Sequence, residues 1–213
     1  MRKLKSLANP KNVAGMARFG ISAKNTLGVS IPSLRAIAKQ KENRKNHALA
    51  LELWKTGIHE ARILAALVDD SNQVTDAQME SWVKDFDSWD ACDQVCSNLF
   101  DKTEFARAKA FEWAGRKEEF VKRAGFVLMA ALAVHDKKSN DAAFVKFLPI
   151  IVREAKDERN FVKKAVNWAL RQIGKRNETL KKLAMQTATK IAKSDSKSAR
   201  WIAKDALREL SRR

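Results

Sequence analysis

Apolar residues recur at spacings of three and four along almost the whole chain. That rhythm belongs to amphipathic helices, because it gathers side chains on one face of a 3.6-residue turn. Little interrupts it. Gly occurs 7 times and Pro 3 times in 213 residues, and Tyr is absent. Such a chain lacks the turn residues a many-stranded protein needs. An all-α fold follows. The spacing predicts a short helix near 12–18 that stops at Phe19-Gly20, and a helix after the loop that ends in Gly28-Val29-Ser30-Ile31-Pro32-Ser33. Ser30 or Ser33 can cap that helix, and Pro32 suits its first turn. Further helices are predicted near 46–56, 59–69, 75–86, 89–99, 102–114, 118–134, 141–155, 159–174, 178–193 and 197–211, with Thr75, Asn140, Asn177 and Ser196 as caps. The short connections make consecutive helices antiparallel neighbours.

One internal repeat is legible. Phe120-Val121-Lys122-Arg123-Ala124 matches Phe161-Val162-Lys163-Lys164-Ala165 at an offset of 41 residues, and Ala169-Leu170-Arg171 is echoed by Ala206-Leu207-Arg208. A period of ~40–47 residues is that of HEAT-type helix pairs. The expected architecture is an α-solenoid of about six antiparallel helix pairs over residues 1–213, one domain, with a concave basic groove.

Charge narrows the partner. The formal net charge is +17. Residues 1–50 carry 11 Lys+Arg and 1 acidic residue, 51–158 carry 15 and 20, and 159–213 carry 16 and 4. Both ends are basic and the middle is slightly acidic. This distribution suits a polyanion held at two ends, and exceeds what solubility alone requires. No apolar run approaches the ~20 residues of a membrane span, and the basic N-terminus lacks the apolar stretch of a secretory signal. Cys92 and Cys96 lie four apart in a helical segment, poor geometry for a disulfide, so a reducing, cytoplasmic location is expected. The histidines and cysteines are too scattered to suggest a metal site. Gly-rich phosphate loops and H-E-x-x-H or G-x-S-x-G patterns are absent.

Two constellations could carry chemistry. In Asp87-Ser88-Trp89-Asp90-Ala91-Cys92-Asp93, Trp89 and Asp93 are four apart and share a helix face. A Trp in such a stack is ordinarily core, and Asp87 is ordinarily a cap. An Asp on the same face as a large aromatic needs either solvent or a buried partner. The second constellation is Lys164, Trp168, Arg171 and Lys175, at i, i+4, i+7 and i+11. It interleaves cations with an aromatic, as nucleic-acid surfaces do. The alternative is a Trp at the core edge flanked by solvated cations. Arg123 is the repeat equivalent of Lys164, so the two are expected to line the same surface, unless Arg123 merely pairs with Glu119.

Four segments together resemble the AlkD-like DNA alkylation repair glycosylases, a family of HEAT-like solenoids. They are Gly28-Val29-Ser30-Ile31-Pro32-Ser33-Leu34-Arg35, Trp89-Asp90-Ala91-Cys92-Asp93, Phe120-Val121-Lys122-Arg123-Ala124, and Val166-Asn167-Trp168-Ala169-Leu170-Arg171. The resemblance implies a monofunctional enzyme that removes cationic N3- and N7-alkylated purines from duplex DNA and leaves an abasic site. It implies double-stranded DNA as the partner; no cofactor, metal or membrane is expected, and a monomer is expected. Asp93 would match the catalytic carboxylate. Trp89 and Trp168 would match the aromatics beside the damaged nucleotide, and Arg123 the supporting arginine. Arg35, Lys164, Arg171 and Lys175 would contact DNA. The four catalytic positions are expected to meet in one cleft. The chain departs from the pattern in its short N-terminal segment and in having no Tyr. Phe19 can fill the space of an N-terminal tyrosine but cannot donate its hydrogen bond. The alternative expectation is a non-catalytic protein that binds damaged, bent or branched DNA.

Overall fold

The computed structural model describes residues 1–212 and is all-helical. Its contacts divide the chain into one unit spanning Met1–Thr103 and a second that begins at Glu104.

The first unit contains α1 (Arg2–Ser6), α2 (Pro10–Ala17), α3 (Ile31–Ala38), α4 (His47–Lys55), α5 (His59–Val68), α6 (Asp76–Lys84) and α7 (Trp89–Asn98), with short 3-10 turns at Lys41–Asn43 and Phe100–Lys102. Helix α5 is its axis. It packs against α3, α4 and α7, and eight of its ten residues are buried. Such all-round burial requires small side chains where helices cross, and Ala61, Ala65 and Ala66 supply them. An aromatic cluster joins α4 and α6. Trp54 and Trp82 stack with ring centroids 3.9 Å apart and planes within 4°. Phe86 and Phe100 pack around them. The Trp54 indole N–H donates to Asp85 at 2.8 Å, so its one polar atom is satisfied.

The second unit contains α8 (Ala106–Ala114), α9 (Glu119–His135), α10 (Asp141–Val145), α11 (Leu148–Glu154), α12 (Asn160–Gly174), α13 (Glu178–Ala192) and α14 (Lys197–Leu210). Helix α9 lies between α8 and α12, and α12 also meets α13 and α14. Gly125 lets α8 and α9 approach closely, since a Cβ there would lie 2.4 Å from the Ala114 backbone nitrogen. The two copies of the repeat sit side by side. Phe120 and Phe161 pack with centroids 5.6 Å apart, and Arg123 Nη1 donates to the Phe161 carbonyl at 2.6 Å.

The predicted caps at Ser30, Thr75, Asn140, Asn177 and Ser196 each accept a backbone N–H. Two segments differ from expectation. The helix predicted over 141–155 is broken into α10 and α11. Pro149 has no N–H to continue the ladder and starts a new helix instead. The helix predicted from 102 begins at Ala106, after the 3-10 turn. Helix α1, five residues long, is too short to show a period.

Candidate functional site

Helix α7 turns Ala91, Cys92, Val95 and Cys96 inward. The same spacing leaves Trp89 and Asp93 half-buried on one side, one turn apart. Ser88, not Asp87, precedes the first helical residue, and its hydroxyl makes no capping bond. Cys92 and Cys96 are buried thiols not joined in a disulfide. Burial pushes the Cys96 thiol well above its ordinary range, which leaves it unreactive.

The Trp89 indole is fixed from outside its own helix. Its Nε1 donates to the Phe19 carbonyl at 2.9 Å, while the Phe19 ring stands 68% exposed. Phe19 belongs to the loop between α2 and α3, and that loop is tied to the first turn of α5. The Glu60 carboxylate, 1% exposed, accepts N–H bonds from Leu27 at 2.8 Å, Gly28 at 2.6 Å and Val29 at 3.2 Å. The His59 amide donates to the Asn25 carbonyl at 2.9 Å. Gly28 has φ +76, and a Cβ on it would fall 2.2 Å from the Asn9 carbonyl oxygen. Only glycine fits there.

The His59 side chain reaches α7. Its Nε2 lies 2.9 Å from Asp90 Oδ2, with both groups largely buried. Burial alone would lower the imidazole pKa. The hydrogen bond and charge of Asp90, with Glu60 and Asp87 nearby, hold it above the ordinary value instead. Asp90 is opposed by burial and held below its ordinary value by His59. The pair locks the start of α7, beside Trp89. Farther along α7, exposed Arg35 donates to Asn98 at 3.2 Å.

The remaining expected site residues belong to the second unit. Arg123 is 5% exposed, and its bond to the Phe161 carbonyl ties α9 to α12. Trp168 is half-buried on α12 and Lys164 is exposed. Arg171 and Lys175 are not free cations. Both pair with Glu209 of α14, and Arg171 also lies 3.8 Å from Asp205. The hydrogen bond from Lys175 leads in holding Glu209 below its ordinary pKa; partial burial opposes it, and Arg171 assists. The stripe therefore projects less charge than its sequence suggests. Sequence reasoning missed Glu60, His59, Asp90 and Glu209, because each acts on a partner about thirty or more residues away.

A solved structure described as a new family of proteins related to the HEAT-like repeat DNA glycosylases, with affinity for branched DNA structures, matches with a TM-score of 0.79 at 21% identity. The match covers 100% of this chain and 92% of that one, and shows that the fold is the HEAT-like helical type. An uncharacterized protein of Listeria innocua is 25% identical over 126 residues, 58% of this chain. The aligned region spans 56% of that relative's length. A family model described as DNA alkylation repair enzyme matches residues 1–210, and the chain belongs to the DNA alkylation repair enzyme family.

Proposed function

We propose that this protein is a DNA repair glycosylase that hydrolyses the N-glycosidic bond of N3- or N7-alkylated purines in duplex DNA, leaving an abasic site. The observation that carries the reading is the placement of half-buried Asp93 and Trp89 one turn apart on the same side of α7, in a member of an alkylation-repair family. A carboxylate has no use in gripping a phosphate backbone. It has a use in stabilising positive charge.

Alkylation makes the purine cationic, so the base leaves as a neutral molecule when the bond to C1′ breaks. The electron pair of that bond goes to the base, and positive charge develops on the deoxyribose. Asp93 stabilises this charge and orients the water that adds to C1′, taking up its proton. The indole faces of Trp89 and Trp168 favour a cationic nucleotide. Arg123, buried and bonded to the Phe161 carbonyl, supports the site by holding α9 against α12. Exposed Lys164 and Arg35 contact phosphates.

The test is release of 7-methylguanine or 3-methyladenine from methylated duplex DNA. Asp93→Asn is expected to lower single-turnover release by about 100-fold or more while leaving DNA affinity and melting temperature near wild type. Equal release by Asp93→Asn would remove the role given to Asp93, and no release by the wild type would remove the enzyme. The second reading, a non-catalytic binder of branched DNA, draws on the affinity attributed to the solved relative. It predicts tight, salt-dependent binding with no base release.

A further inference from the structure

Helix α14 buries Ala199, Ile202, Ala203, Ala206 and Leu210 against its neighbours. Its other face carries Lys197, Trp201, Lys204 and Arg208 at i, i+4, i+7 and i+11, all exposed. Trp201 is 41% exposed, a costly placement for the largest apolar side chain on an otherwise charged surface. Lys163 of α12 places its Nζ 5.2 Å from the Trp201 ring centroid, which adds a fifth element from outside the helix. Lys204 has no acidic partner among the described residues, and Lys197 feels the nearby charge of Glu158 without a close ion pair. Arg208 pairs with Asp205. Glu158, near Lys163 and Lys197, is engaged by Ser196 Oγ at 2.7 Å. The balance of the face is strongly positive.

We propose that this face of α14 is a nucleic-acid contact for an unpaired stretch of strand. Backbone phosphates run along Lys197, Lys204 and Arg208, and one base stacks on the Trp201 indole. The single-stranded character follows from geometry. Inside a duplex both faces of each base are covered by its neighbours, so a flat indole on an outer helix finds a stacking partner only where a base is unpaired or terminal. Successive i, i+4 positions lie about 6 Å apart along the helix, comparable to the step between phosphates of an extended strand. The helix can therefore track a backbone while Trp201 takes a base. Lys163 lies over one face of the ring, so the base stacks on the other face and the ammonium can meet the adjoining phosphate. The surface is independent of the Asp93 chemistry.

The test compares a fluorescein-labelled blunt duplex with the same duplex carrying a single-stranded tail, by anisotropy with full-length protein. The wild type is expected to prefer the tailed DNA. Trp201→Ala should lose about 5- to 100-fold on tailed DNA and less than about 2-fold on the blunt duplex, and Trp201→Phe should keep most of the preference. Trp201→Lys removes stacking while adding charge, so it should abolish the preference even if total binding rises; it also covers the case in which the alanine variant folds poorly. Lys197→Ala and Lys204→Ala should each reduce the slope of log affinity against log salt on tailed DNA by about 0.7. Base release from methylated duplex at saturating enzyme should be unchanged in Trp201→Ala. Equal loss on both DNAs, or no loss on either, would overturn the assignment, as would binding of an acidic protein in place of tailed DNA. None of these three binding outcomes depends on whether the wild type excises a base.

Discussion

Replacing Glu60 tests how the N-terminal loop is held. Its carboxylate accepts hydrogen bonds from the amides of Leu27, Gly28 and Val29. Gly28 and Val29 are buried, whereas Leu27 is half-buried and can regain water. Glu60→Ala therefore strands two buried donors, at about 1–3 kcal/mol each, and removes a third bond worth about 1 kcal/mol. The expected loss is about 3–7 kcal/mol, reduced where the loop relaxes. For a chain of this size each kcal/mol moves the melting temperature by about 2–4 °C, so a fall of about 6–28 °C is expected, toward the lower end where the loop relaxes. Glu60→Gln keeps an oxygen for Gly28 and Val29 but turns an amino group toward Leu27, and should lie between the two, about 1–3 kcal/mol below wild type. Thermal melts by circular dichroism give the order wild type, Gln, Ala. Trypsin should cut at Arg18 and Lys24 faster in the same order, because the loop that carries them is loosened. A Glu60→Ala melt within 2 °C of wild type, with unchanged cleavage, would refute the role given to the carboxylate.

Other perturbations have outcomes of known sign. His59, raised from 6.5, adds stability that is complete below that pH and disappears as pH rises through its folded value; Asp90, lowered from 3.8, adds stability present above 3.8 and lost as pH falls through its folded value. The pair should thus help most between about pH 4 and 6.5, and Asp90→Asn should flatten the decline of melting temperature on the alkaline side; an unchanged pH profile would contradict the pairing. Gly125→Ala forces a methyl onto the α8 backbone and should cost about 3 kcal/mol by denaturant titration, against a stabilising effect if the helices were farther apart. Glu209→Gln releases Arg171 and Lys175, so DNA affinity should rise and the salt slope should steepen by about 1–2 charges; an unchanged slope would show that neither cation reaches phosphate.

The parts of the fold legible in the sequence are those written in local pattern. Apolar spacing and the caps at Thr75, Asn140, Asn177 and Ser196 place most helices. The 41-residue repeat anticipates the packing of Phe120 on Phe161. The break at Pro149 was available to the same reasoning, since a proline in the middle of a predicted helix interrupts its ladder. Of the candidate site, the common face of Trp89 and Asp93 follows from i, i+4 spacing alone. The pairing of Arg171 and Lys175 with Glu209 does not. It depends on how α12 and α14 are set against each other, which no local pattern encodes. For the same reason the carboxylate of Glu60 reads in sequence as an ordinary first-turn acid, although it organises a loop 31–33 residues upstream.

The face-to-face stack of Trp54 and Trp82 also has an optical consequence. Parallel indoles at 3.9 Å share their excited states, so this pair should give a coupled signal in the circular dichroism spectrum that reports the first unit's core. The other four of the six tryptophans divide differently. Trp113 is fully buried, while Trp89, Trp168 and Trp201 all meet solvent. Added DNA would therefore alter the emission of the proposed contact residues while the coupled core band stays still. One unlabelled sample then carries both a folding signal and a binding signal.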